Sequence, residues 1–352
     1  LYLRRAKRTM DPYQASVRGT MSGSTKPATE RSSRRALLLA WNLLLCGCVT
    51  SLPEARLRVD SNEPEPAIRS FADRFDRVDH IVAPVMINGR GPFRFMIDTG
   101  ANRTVLAESL VQRLGLGFDG ENPVSLQGVI GNITVTTAHV ATLRSGAVHM
   151  ENAFLPVMTG PVLQGLDGIL GMDGFAGTRM SANFVRNQLT ISQSRGRLAA
   201  PKYSIAAVRF LSQRVLVADA LIAGVRVKAV IDTGGSRTLG NPALLAALNL
   251  SPAEQQLARP THVVDATEAL QRGRKEHVPF VHVGGITIAN LEVTFAGFRV
   301  FETWGLKDQP ALLIGMDVLG SLAELNIDYR LGVLEMLPRP YKMVAAKARP
   351  AT

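Results

Sequence analysis

Short runs over 80–87, 123–129, 132–143, 147–157, 214–222, 278–283 and 286–295, in which apolar residues recur with or without polar ones between them, read as strands. The runs "PFRFMI" (92–97) and "VRVKAVI" (225–231) also read as strands. Two stretches change to helical spacing: "AESLVQRLGL" from Ala107 and "NPALLAALNL" from Asn241. Asn241 followed by Pro242 supplies a cap and a first helical residue. Many short strands, glycine-rich turns and few helices predict a mainly β protein.

The pattern repeats. Residues 97–106 read "IDTGANRTVL" and residues 231–240 read "IDTGGSRTLG". Aligning Asp98 on Asp232 brings Leu110 onto Leu244, Leu114 onto Leu248 and Leu116 onto Leu250. Further on, "LDGILGMDGF" (166–175) matches "ALLIGMDVLG" (311–320). Each is followed by an alternating run, "ANFVRNQLTIS" and "NIDYRLGVLEM", that reads as a closing strand. A repeat of this length predicts two lobes, 78–200 and 201–338. Asp98 to Gly171 spans 73 residues and Asp232 to Gly315 spans 83, so the second lobe carries extra loop residues around "FRVFETWGLKDQP".

The net charge of +11 changes little once it is located. Residues 1–60 carry 11 basic and 4 acidic side chains, and the tail 339–352 is basic, whereas 61–337 carries 25 of each. A neutral body without basic runs interleaved with aromatics argues against nucleic acid as a partner. Both cysteines, Cys46 and Cys48, lie in one apolar run, so no disulfide framework or zinc spacing is available. That run follows Arg31, Arg34 and Arg35 and is too short to span a membrane. Residues 1–48 therefore read as an export signal, with Met21 as a start of ordinary signal length. "LCGC" at its end resembles a bacterial lipobox, which implies lipidation at Cys48 and a body held at the periplasmic side of a membrane. "SRRALLL" weakly resembles a twin-arginine signal. An uncleaved apolar anchor is the plainer alternative. The proline-rich and charged stretch 49–77 reads as a tether.

Two copies of Asp-Thr-Gly suggest two carboxylates brought together. The chain resembles an aspartic peptidase of the retropepsin/pepsin-like superfamily, with two retropepsin-like lobes in tandem over about 78–338. The resemblance implies a small closed β-barrel with a short helix in each lobe and an active site between them. It implies catalysis by Asp98 and Asp232, with Thr99, Gly100, Thr233 and Gly234 supporting the loops. Ile169, Leu170 and Gly171, and Leu313, Ile314 and Gly315, match the segment that packs under the active loop. Gly235 and Gly240 depart from the pattern, which favours a hydroxyl residue or alanine at the first and an apolar residue at the second.

A paired carboxylate shares one proton, so one member can activate water while the other polarises a carbonyl. No cofactor and no metal is needed for that chemistry, and the resemblance implies an extended polypeptide as substrate. With no hydroxyl at Ala101 or Gly235, a mildly acidic optimum is expected. Gly128, Val129, Ile130 and Gly131 form a hairpin tip suited to a flap. The matching "THVVDATEALQRG" has no central glycine, so one flap is expected. Asp173 and Asp317 read as helix caps, and Met172 and Met316 as core. His277 and His282, five apart on a strand, face opposite sides and make a poor metal pair. Trp304 is either a binding anchor or a loop plug. One chain supplies both aspartates, so a monomer is expected. The alternatives are a peptide-binding module without catalysis and an assembly that pairs lobes of different molecules.

Overall fold

The alternation closes, in a computed structural model, into two six-stranded β-barrels. The structure describes residues 80–339, apart from 161, 162, 164 and 212–214, and the backbone of two short strands, Tyr2–Arg4 and Ala67–Arg69. Apart from those two strands and Arg339, the export signal with Cys48, the tether and the basic tail lie outside the described residues. Among the described residues, no helix is long and apolar enough to cross a membrane.

In the first lobe, Val82–Ile87, Arg90–Ile97, Gly168–Leu170, Val105–Ala107, Val148–Met158 and Asn132–Ser145 lie side by side, and the last pairs back with the first. In the second lobe, Leu216–Ile222, Val225–Ile231, Ala311–Ile314, Leu239–Gly240, Ile286–Phe295 and Leu270–Val283 close in the same order. Closure leaves neither barrel with a free edge. The alternation does what a closed barrel requires: Ala83, Val85 and Ile87 are buried while Pro84 between them faces out.

Both expected helices form, over Glu108–Leu114 and Pro242–Leu248. Asn241 caps the second, its Oδ1 accepting from the N–H of Leu244 at 2.8 Å. The same side chain accepts from Ala311 N–H at 3.1 Å and donates to the carbonyls of Leu306 and Gln309, each at 2.8 Å. It thereby ties the helix to the end of the second lobe's insertion. Two shorter helices were not read from the sequence: Pro252–Gln256, with a capping box at Ser251, and Arg299–Thr303 inside the insertion.

The two runs read as closing strands are instead hairpins. Thr178–Asn183 pairs with Gln188–Gln193, and Leu322–Asp328 with Val333–Pro338. Their turns contain left-handed residues, Asn187 (φ 50°) and Gly332 (φ 65°), which reverse the chain where a single strand would continue. The hairpins join across the lobes, because Thr178–Asn183 hydrogen-bonds to Leu322–Asp328. Arg179 spans the join, ion-paired to the buried Glu335 and 3.5 Å from the buried Asp328.

The unusual glycine at 240 has a packing cause. Gly240 pairs with Phe295, whereas its counterpart Leu106 pairs with Val157. A Cβ at 240 would lie 2.3 Å from the Phe295 ring. Large beside small is used in both lobes, with the sizes exchanged. Gly240→Leu is therefore expected to destabilise by about 1–3 kcal/mol through overpacking. Adding Phe295→Val should recover most of that loss. Urea unfolding of the single and double variants measures the coupling, and additive losses would contradict it.

Candidate active site

Each barrel delivers its aspartate at the end of a central strand. Asp98 follows Ile97 and Asp232 follows Ile231. Ile97 pairs with Leu170 and Ile231 with Ile314 in parallel register. The N–H of Asp98 donates to Leu170 at 3.1 Å and that of Asp232 to Ile314 at 3.0 Å. Ile169, Leu170, Leu313 and Ile314 are buried beneath the loops. Gly171 and Gly315 pass so close under them that a Cβ would meet the backbone of Arg103 at 2.3 Å or of Arg237 at 2.6 Å. Those six positions thus support the loops from below.

The loops are tied to each other through Thr99 and Thr233, both fully buried. The Thr99 hydroxyl donates to the carbonyl of Ile231 at 2.7 Å and accepts from the N–H of Thr233 at 3.0 Å. The Thr233 hydroxyl donates to the carbonyl of Ile97 at 2.8 Å and accepts from the N–H of Thr99 at 3.1 Å. Each hydroxyl uses a donor and an acceptor function across the lobe boundary.

This exchange brings the carboxyls of Asp98 and Asp232 into hydrogen-bonding contact. Asp98 Oδ1 accepts from the N–H groups of Gly100 (2.8 Å) and Ala101 (3.0 Å). Asp232 Oδ1 accepts from Gly234 (2.9 Å) and Gly235 (3.1 Å). The glycines allow the approach. A Cβ on Gly100 would lie 2.8 Å from Asp232 Oδ1, and one on Gly234 would lie 2.3 Å from the carboxyl carbon of Asp98.

Asp173 and Asp317 differ from the reading as helix caps. Neither occupies the cap position, which is Gly171 or Gly315, although Asp317 Oδ1 accepts from the first-turn N–H of Val318 at 3.0 Å. Asp173 Oδ1 instead accepts from the Thr104 hydroxyl at 2.7 Å, and Asp317 Oδ1 from the Thr238 hydroxyl at 2.8 Å. The same hydroxyls accept from the N–H of Gly171 (3.2 Å) and Gly315 (3.3 Å). Burial raises the pKa of both carboxyls, against the pull of these bonds. The signal for this brace was the repeated Arg-Thr after each loop together with the repeated Gly-Met-Asp.

Above the pair lies a cavity of about 560 Å³. The hairpin of Phe118–Gln127 and Asn132–Ser145 roofs it, and Gly128 and Val129 from its tip line it. Gly128 N–H donates to Gly131 across the turn at 2.8 Å. The structure differs from the expectation of one flap. Arg259–Val264 and Leu270–Val283 form a second hairpin over the same cavity. Its tip turns without a central glycine because Asp265 Oδ1 accepts from Thr267 N–H (2.9 Å) and Ala269 N–H (3.2 Å), and Glu268 takes a left-handed φ of 63°. Trp304 is buried edge-on to Phe301 and also lines the cavity, so it plugs the insertion and offers an apolar wall. Among the described residues, no three His, Cys, Asp or Glu side chains group as metal ligands. His282 Nδ1 lies 2.9 Å from the Thr287 hydroxyl.

Burial, reinforced by the charge of Asp98, raises the Asp232 pKa well above the ordinary carboxylate range. A carboxyl held in its protonated form by the fold stabilises the folded state fully below the ordinary range. That contribution is lost as pH climbs through the raised value. Asp232→Asn keeps the Oδ1 acceptor and removes the ionisable group. It should raise Tm by a few degrees at pH 7, on the order of 1–2 kcal/mol, with the gain fading toward pH 4. Thermal unfolding at both pH values measures this, and a gain equal at both would contradict the burial argument.

The model of the family described as "Aspartyl protease" matches residues 83–173 and 218–318, more than half of the chain. Among solved structures, the chain is similar to a retropepsin-like aspartic protease from Rickettsia conorii. The two are 18% identical, with 38% of this chain and 89% of that chain covered, at a TM-score of 0.27. No curated protein matches. With the family's pattern matched once in each barrel, this chain belongs to the aspartyl protease family.

Proposed function

We propose that the protein is an aspartic endopeptidase that hydrolyses peptide bonds with a water held between Asp98 and Asp232. The observation that carries this reading is the contact between the two buried carboxyls on the floor of a roofed cavity. Two carboxyls so close do not both ionise easily, and the pair retains one proton. The high proton affinity of Asp232 suits it to act as the acid, leaving Asp98 as the base.

In the first step, Asp98 takes a proton from water as the water oxygen bonds to the scissile carbonyl carbon. Asp232 gives its proton to the carbonyl oxygen, forming a neutral tetrahedral diol. In the second step, the proton on Asp98 moves to the leaving nitrogen and the C–N bond breaks. A diol hydroxyl returns a proton to Asp232 as the new carboxyl group forms. An extended polypeptide lies across the cavity, with Val129, Val300 and Trp304 offering it apolar walls. The expected working form is a monomer.

Cleavage of a mixed peptide library by the full chain tests the proposal. Turnover should peak between about pH 4 and 7, where the pair holds one proton. Asp98→Asn and Asp232→Asn should each lower kcat by at least about a thousandfold while the proteins stay folded. A rate maximum below about pH 3, or full activity in either variant, would overturn the mechanism. Folded parent protein without turnover at any pH would favour a peptide-binding role.

The proposed location rests on the N-terminal sequence alone. Export and lipidation at Cys48 would hold the enzyme at the periplasmic side of a bacterial membrane. Expressed in a bacterium, the parent should then be found with membranes and the Cys48→Ala variant in the soluble fraction. Equal membrane association of both would rule out the lipid anchor.

A further inference from the structure

The roof over the catalytic pair is fastened to the opposite lobe. At the tip of the first hairpin, the N–H groups of Ile130 and Gly131 donate to Asp265 Oδ2 at 2.7 and 3.0 Å. Beside them the N–H of Val300 donates to the carbonyl of Val129 at 3.0 Å, and the Gln127 side chain bonds the Thr303 hydroxyl. Val129 and Ile130 also pack on the apolar cluster that holds Phe298, Phe301 and Trp304. These contacts hold the flap tip over the cavity above the aspartates.

The carboxyl of Asp265 divides its work. Oδ1 faces its own turn and accepts from Thr267 N–H, the Thr267 hydroxyl and Ala269 N–H. Oδ2 faces the other lobe and accepts the two flap donors. The glycines of the flap make room for it. A Cβ on Gly128 would lie 2.2 Å from Oδ2, and one on Gly131 would lie 2.6 Å from the Thr267 hydroxyl. A charged acceptor, half-buried between two donors, makes stronger bonds than a neutral one. The second hairpin, unexpected from the sequence, thus supplies the fastening for the first.

We infer that Asp265 is a positioning residue that latches the first lobe's flap over the catalytic pair, and that this latch opens to admit substrate and closes to retain it. The catalytic part of this inference rests on the endopeptidase reading; the latch itself does not. The division between the two oxygens provides a selective variant. Asp265→Asn keeps an oxygen for the three donors of its own turn and turns an NH₂ toward Ile130 and Gly131, where donors then face donors. Gly128→Ala loosens the same contact from the other side, by pushing a methyl group against Oδ2.

Hydrogen exchange and kinetics on the full-length protein test the inference together. In both variants the amides of Ile130 and Gly131 should exchange about ten- to a hundredfold faster than in the parent, as expected for lost charge-assisted bonds. In Asp265→Asn the amides of Thr267 and Ala269, and those of the barrel strands, should stay protected. With peptide substrate, KM should rise about tenfold while kcat stays within about threefold, the split expected when retention of substrate is weakened and the chemistry is not. Unchanged exchange at Ile130 and Gly131 in both variants would overturn the latch. Loss of kcat in proportion to folded protein, with KM unchanged, would also overturn it, because that outcome marks a merely structural role. Faster exchange in the variants of a parent that cleaves nothing would support the latch and sink the endopeptidase reading.

Discussion

Two threonine hydroxyls, exchanged across a dry boundary, are the constraint on which the site depends. Thr99 and Thr233 each hold a carbonyl and an N–H of the opposite loop, and both are fully buried. Buried polar groups must be paired, so neither lobe's loop is complete without the other. This arrangement forces like charges together, which is ordinarily unfavourable. It holds because each Asp Oδ1 is met by two backbone N–H groups and each facing residue is a glycine. The raised proton affinity of Asp232 follows from that forced closeness, together with burial.

Behind the loops the two lobes solve the same problems with different side chains. A leucine over a valine in one barrel becomes a glycine beneath a phenylalanine in the other. Glycines at both ends of one hairpin tip become an aspartate that folds its own turn in the other. The insertion at Phe298–Leu306 exists in the second lobe only, and the first lobe's tip rests on it. Identity is kept where backbone and carboxyl must meet at fixed distance.

The strongly local signals were legible in the sequence. Strand-like runs marked the longer barrel strands but not the short ones at Val105–Ala107, Gly168–Leu170, Leu239–Gly240 and Ala311–Ile314, and the Asn-Pro start marked one helix. The repeated Asp-Thr-Gly loops and the apolar pairs before Gly171 and Gly315 marked the floor of the site. Features decided by distant partners were not legible. The role of Asp173 depends on Thr104, 69 residues away, so a reading from neighbours alone assigned it to its own helix. Asp265 had nothing in its surroundings to announce that Ile130 and Gly131 would face it. The hairpins at 178–193 and 322–338 read as single strands because each turn carries one left-handed residue, Asn187 or Gly332, and the pairing that joins the two hairpins crosses between lobes.

That cross-lobe pairing bears on how the molecule comes into being on the ribosome. The first lobe's strand Thr178–Asn183 finds its inner neighbour only in Leu322–Asp328, some 140 residues later in translation. A nascent chain that has emerged only as far as the first barrel already carries Asp98, yet lacks both the second threonine and the sheet that holds the halves together. Contacts so distant in sequence form late. A site split in this manner stays incomplete through most of the chain's own synthesis, and a truncated product would carry one aspartate without a partner.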